Sequence, residues 1–136
     1  MQREHIYRAR RKDTGSYIEG FYREQPVPPV CFGESEKSKS YIIFPDPRYI
    51  PDWNLPYQMV EVEVIPESVC EYTGMLDKNK VKIFEQDRCR VTRGIYPPVI
   101  GTIKFLEGCF CFVEEKTKAL VELCHLSVNN MEIEVL

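Results

Sequence analysis

Apolar and polar residues alternate with a period of two along most of this chain. The plainest case is residues 59–65, where Val60, Val62 and Val64 share one side and Glu61 and Glu63 the other. That is the pattern of a strand with one wet face. A hairpin is predicted over residues 5–24. His5 to Arg10 goes out, Asp13-Thr14-Gly15-Ser16 turns, and Tyr17 to Tyr22 returns, with Gly15 free to take φ > 0. Gly20 inside the return strand predicts a bulge or a close approach by another backbone. Further strands are expected at Tyr41–Phe44 and Ser68–Thr73, the second closed by Gly74. The polar turn Asp77-Lys78-Asn79-Lys80 follows. From Ile83 the strands come closer together: 88–92, 99–106, 109–114, 119–123 and 131–136. Glu107-Gly108 is a two-residue hairpin turn between the second and third of these. The only helix expected is a turn within residues 123–129.

This pattern predicts an all-β chain. Residues 1–80 form an N-terminal β-subdomain with a long irregular loop over 25–58. That loop holds a proline-rich extended segment, a polar loop at Gly33–Ser40, and Trp53 covering a core edge. Residues 81–136 form a small, bent SH3-like barrel, since five short strands with one tight hairpin suit that architecture. The length of 136 residues fits one domain or two small subdomains. Ten prolines argue against long helices, because proline lacks the amide donor and clashes in a helix interior.

Charge and cysteines narrow the function classes. The net charge is −3, near balance in the first sixty residues and acidic after them, which weighs against nucleic-acid binding by bulk charge. The start shows no apolar signal segment and no run suits a membrane helix. A cytoplasmic protein with six reduced cysteines is therefore expected. Cys109-x-Cys111 with Cys124-His125 is a soft ligand set, but it lacks the usual Cys-x-x-Cys knuckle. The strand rise puts residues i and i+2 about 7 Å apart. The pair is read as filling one side of the barrel, with no metal and no cofactor expected. Catalysis by a thiol is not expected either. His5 lies near the terminus, and in an extended chain Cys124 and His125 point to opposite faces. Glu85 and Asp87 share a face if extended, yet capping of backbone N–H groups by Asp87 explains them without acid–base chemistry. The chain is read as no enzyme.

The stretch from Val64 to Cys89 carries Ile65-Pro66-Glu67, Val69, Tyr72-Thr73-Gly74, Asp77-Lys78-Asn79, Ile83, Glu85 and Asp87. In this it resembles the central motif of the YopX-like proteins of phages and prophages. Arg8-Ala9-Arg10, Gly20-Phe21-Tyr22 and the close at Glu132–Leu136 fit that family's opening hairpin and last strand. Lys80 and Gln86 stand where the family usually has glycine, which argues against φ > 0 at Lys80 because a Cβ there costs about 1 kcal/mol. Cys70 replaces a further glycine, and Arg10 an aromatic. Pro66, Tyr72, Thr73, Gly74, Asp77, Asn79, Glu85 and Asp87 are thus a structural motif. The resemblance implies an all-β accessory protein, phage or prophage encoded, in a bacterial cytoplasm. The family has no established activity, so no catalytic residues are carried over.

The resulting expectation is action through a protein partner or self-association, with no membrane. Strands 59–65 and 131–136 offer edges for pairing. The alternative is nucleic-acid binding through Arg8, Arg10, Arg11 and Lys12, with Tyr7 and Tyr17 beside them. Arg88, Arg90 and Arg93 form a second basic row.

Overall fold

A computed structural model of the chain describes residues 4–28, 33, 38–48 and 58–136, with Ser127 and Val128 described by backbone alone. Trp53, Cys31, residues 29–30 of the proline-rich segment and residues 34–37 of the polar loop lie outside the described residues. The chain divides into two compact units, His5–Cys70 and Glu71–Leu136, the second including Glu4. The division falls ahead of the one expected after residue 80, because the strand beginning at Cys70 pairs with the strand after the Asp77 turn. Among the described residues no helix is long and apolar enough to cross a membrane.

The N-terminal unit is an antiparallel meander of β1 (Tyr7–Arg10), β2 (Tyr17–Pro26), β3 (Ser38–Pro45) and β4 (Met59–Val64). Alternation sets its two faces. Ala9, Ile42 and Val64 are fully buried, and Tyr7, Ile18, Tyr22, Phe44 and Val69 pack on them. The Tyr7 and Tyr22 rings stack at 5.4 Å. Gly20 sits mid-strand for a steric reason: a Cβ there would lie 2.3 Å from the Ile43 carbonyl oxygen. A short 3-10 turn, Pro66–Ser68, follows β4 with Pro66 in its first turn. Here a strand start was expected at Ser68. Proline's fixed φ and missing N–H suit a helical first turn better, and the Ser68 hydroxyl donates to the Ile65 carbonyl at 2.7 Å.

The C-terminal unit begins in β5 (Cys70–Leu76), which pairs with β6 (Lys82–Phe84). Gly74 does not close β5. It lies within it at φ +86°, where the register slips between Tyr72 and Leu76, so this glycine serves a bulge. The remaining strands are β7 (Arg88–Thr92), β8 (Val99–Leu106), β9 (Cys109–Glu114), β10 (Leu120–Glu122) and β11 (Glu132–Val135). They form a five-stranded antiparallel sheet in the order β10-β9-β8-β7-β11, with the one-and-a-half-turn helix α1 (Leu123–Val128) before β11. The all-β expectation holds. The pairings leave this sheet open at β10 and β11 rather than closed on itself.

Its core is Ile83, Cys89, Val91, Ile103, Phe112, Leu123, Leu126 and Ile133. Removing a buried side chain such as Ile103 costs about 2–5 kcal/mol. Gly101 lets β9 cross closely: a Cβ would meet the Val113 carbonyl oxygen at 2.2 Å and Phe112 Cζ at 2.7 Å. The Glu107-Gly108 turn has φ of +49° and +84°, the doubly positive pattern whose twist matches a hairpin. Lys80 and Gln86 adopt φ of +63° and +69°. The left-handed turns are thus kept without glycine, against the expectation at Lys80. At Lys80 the cost of a Cβ is outweighed by the hydrogen bonds that close the turn around Asp77.

Gly101→Ala is expected to lower stability by about 1–3 kcal/mol, seen as a lower urea midpoint with an unchanged slope. Lys80→Gly, by contrast, is expected to add about 0.5–1 kcal/mol of stability, seen as a higher urea midpoint.

Candidate interaction site

The four basic residues of the first hairpin come together, but they are already occupied. Arg11 forms a two-point pair with Asp13, its Nε and Nη2 at 2.9 and 2.8 Å from the carboxylate oxygens. That hydrogen bond chiefly holds Asp13 down at a pKa of about 2. Lys12 Nζ lies 3.0 Å from Glu63. The guanidinium groups of Arg8 and Arg10 lie 5.2 and 5.1 Å from the centre of the Tyr17 ring. The second basic row is engaged too. Arg88 makes two bonds to Glu115, Arg90 reaches Glu134 at 3.6 Å, and Arg93 lies over Tyr96.

Register places Arg8, Arg10, Tyr17, Glu19, Phe21, Arg23, Tyr41, Ile43, Glu61 and Glu63 on the face of the N-terminal sheet away from its core. Arg23 lies 4.8 Å over the Tyr41 ring and is paired with Glu61. Tyr17 and Phe21 keep 56% and 59% of their surface exposed. The face therefore holds as many glutamates as arginines, around two exposed aromatic rings.

The two strands expected to offer free edges are covered where it matters. At β4 the Arg11–Val64 bridge, the Lys12 N–H to the Glu63 carbonyl (3.1 Å) and the Ile65 N–H to the Arg10 carbonyl (2.9 Å) occupy the C-terminal end. At β11 the Lys78 N–H donates to the Ile133 carbonyl at 3.0 Å. The Val135 N–H is taken by Asp77 Oδ2 at 3.1 Å. Alternating charge alone could not reveal this, because the covering groups, backbone atoms and the Asp77 carboxylate, are distant in sequence.

The central motif is architectural in its geometry. Asp77 is buried and accepts N–H bonds from Asn79 and Val81, both at 2.8 Å, besides Val135. Burial pushes its pKa up, but the three bonds to the charged form outweigh it, and the net shift is downward. The Thr73 hydroxyl donates to the Ile83 carbonyl at 2.7 Å and receives the Met75 N–H, bracing the bulge at Gly74. Tyr72 is buried against the Phe84 ring at 5.6 Å. Glu85 and Asp87 do not share an extended face, because Glu85 and Gln86 turn the chain between β6 and β7. Asp87 Oδ2 accepts the Phe84 N–H at 2.9 Å, and the Glu85 N–H donates to Glu71.

The cysteines of β9 depart from expectation. The core side of β9 is Phe110 and Phe112, so Cys109 and Cys111 face the other way. They do not sit in the hydrophobic cluster. Their Sγ atoms are 3.6 Å apart, far closer than the strand rise suggested, because the side chains lean together. Near them, the ligand atoms of Glu122, Cys124 and His125 lie within 4.8 Å of one another. The helical start of α1, rather than an extended chain, lets Cys124 and His125 serve one place.

The sequence pattern of a family described as YopX protein matches residues 33–136. The match covers well over half of the chain, and the chain belongs to that family. No curated protein and no solved structure gives a match.

Asp77 sets an acid limit on stability. Its folded pKa lies below the unfolded value of about 4, so its stabilisation is complete above about pH 4 and lost as the pH falls through the folded value. Asp77→Asn is expected to flatten that acid limb, and Asp77→Ala to cost about 3 kcal/mol at neutral pH. Urea titrations across pH 2–7 measure both.

Proposed function

We propose that the chain is a non-enzymatic accessory protein, phage or prophage encoded, that works in the bacterial cytoplasm by binding another protein. The observation that carries this reading is the outer face of the N-terminal sheet. Exposed Tyr17 and Phe21 are ringed by Arg8, Arg10 and Arg23 and by an equal number of glutamates. Tyrosine, phenylalanine and arginine are the residues that interfaces favour, and the balanced charge suits a protein surface better than a polyanion. The partner this face fits has a small apolar centre rimmed by charges of both signs. Family membership supports the phage setting. The C-terminal unit we read as an open SH3-like module, since its last strand, β11, returns after a helical turn to pair with β7, the first strand of the five-stranded sheet.

Nucleic-acid binding is the second reading, favoured by Arg8 and Arg10 beside Tyr17. It is weakened because phosphate would have to displace Asp13 from Arg11 and Glu63 from Lys12. Immobilised chain and a Tyr17→Ala/Phe21→Ala variant, each offered nuclease-treated bacterial lysate, separate the readings. The native chain is expected to retain a discrete protein and the variant at least about tenfold less, since aromatic anchors carry much of an interface's energy. Equal retention by both removes this face from the reading. Salt-sensitive binding of a fluorescent single-stranded oligonucleotide, abolished by Arg10→Glu, would establish the second reading instead. A stable dimer in sedimentation, broken by the same aromatic variant, would assign the face to self-association.

A further inference from the structure

We propose that Cys109, Cys111, Cys124 and His125 form a tetrahedral site for Zn(II) at the corner of β9, β10 and α1, with Glu122 orienting the imidazole. Two thiolates of one tetrahedral zinc, with Zn–S bonds of about 2.3 Å, lie about 3.8 Å apart. The Cys109 and Cys111 sulfurs are 3.6 Å apart with no adjustment. This spacing replaces what a Cys-x-x-Cys knuckle supplies elsewhere.

Strand pairing brings Glu122 beside Cys111, and the start of α1 carries Cys124 and His125 to Glu122, so that side-chain rotation closes the remaining distance to the β9 sulfurs. Glu122 of β10 stands directly opposite Cys111 of β9, a separation of about 5 Å between Cβ atoms. Glu122 Oε2 is 3.7 Å from Cys124 Sγ and 3.8 Å from His125 Nε2. Cys109, Cys111, Glu122 and His125 line one cleft of about 620 Å³, floored by Leu106, Leu120 and Met131. An open, partly apolar cleft with convergent sulfur and nitrogen donors matches zinc's preference for thiolate and imidazole. The cation on the other flank of Cys111 is Lys104, its partner on β8, and that side chain is exposed.

Deprotonating these thiols carries a cost that the metal has to offset. Burial chiefly, then the Cys109 hydrogen bond and the charges of Cys109, Glu122 and Cys124, push the Cys111 thiol up to about 11. A divalent cation among these groups reverses that penalty. Binding displaces the three thiol protons to solvent, while His125 donates a nitrogen lone pair, so the filled site carries one net negative charge. Glu122, 3.8 Å from His125 Nε2, would close on that N–H in the filled site while Nδ1 binds the metal, the usual partnership behind a metal-bound histidine. The cysteines that do lie within or beside the cores, Cys70 and Cys89, have no part in it. Burial raises Cys89 to about 12.

The test uses the full reduced chain. Loaded with Zn(II) and desalted, it is expected to retain about one zinc per chain. Replacement by Co(II) should give the thiolate-to-cobalt charge-transfer band and the intense visible bands of a tetrahedral thiolate site. Cys109→Ser/Cys111→Ser should lose both. Should that variant unfold, alkylation of the native chain answers separately. Equimolar Zn(II) is expected to protect Cys109, Cys111 and Cys124 and to leave Cys70 and Cys89 unchanged. No retained zinc, a weak octahedral cobalt spectrum without charge transfer, or alkylation indifferent to zinc would each overturn the proposal.

Discussion

The carboxylate of Asp77 accepts N–H groups from two places far apart in the chain, Asn79 and Val81 in its own turn and Val135 at the end of β11. The rest of the C-terminal unit depends on this arrangement. The turn returns β5 to β6, which brings Ile83 into the core. β11 supplies Ile133 to that core and pairs with β7 on its other side. One ionised group therefore fixes the turn, the last strand and one wall of the core together. A neutral side chain of the same size could not accept all three bonds equally well. Asp77 and Asp87 of the central motif look reactive in sequence and hold backbone N–H groups in space.

The surface obeys a different rule. Nearly every arginine described has a partner within the same unit: Asp13 for Arg11, Glu61 for Arg23, Glu115 for Arg88 and Glu134 for Arg90. Exposed ion pairs of this kind add little stability each. They hold Arg23 in place beside the Tyr41 ring and cancel much of the long-range field that would draw a polyanion. What remains on the N-terminal sheet is a patterned, neutral face around Tyr17 and Phe21.

Much of the fold was legible in the sequence because it rests on the period-two rule. The Met59–Val64 alternation, the Glu107-Gly108 hairpin and the paired strands around it follow from side-chain direction alone. The parts that escaped depend on contacts distant in sequence. Backbone from Arg10 to Lys12 covers the end of β4, which no local pattern encodes. Lys80 keeps a positive φ because the Asp77 turn over-determines it. Cysteine's usual burial suggests an inward place for those of β9, yet Phe110 and Phe112 take the side of the main cluster and turn Cys109 and Cys111 to the opposite face, where Cys111 is still buried. The larger apolar surface of the two phenylalanines is the signal in the sequence for that orientation. The nearness of Cys124 and His125 has no such signal, since it requires the α1 turn.

The covered edges have a consequence for colloidal behaviour. A β-sheet left open at its margins is a template on which other chains can add, and proteins protect such margins in various ways. In the C-terminal unit the protection of β11 is a titratable group and the short turn that carries it. Protonating that group would loosen the cover over Val135, at the end of β11, while the other strands are still paired. Acid would then favour precipitation from a nearly folded state, ahead of any dispersed unfolding. The limit on handling this protein at low pH is accordingly a matter of concentration as well as stability.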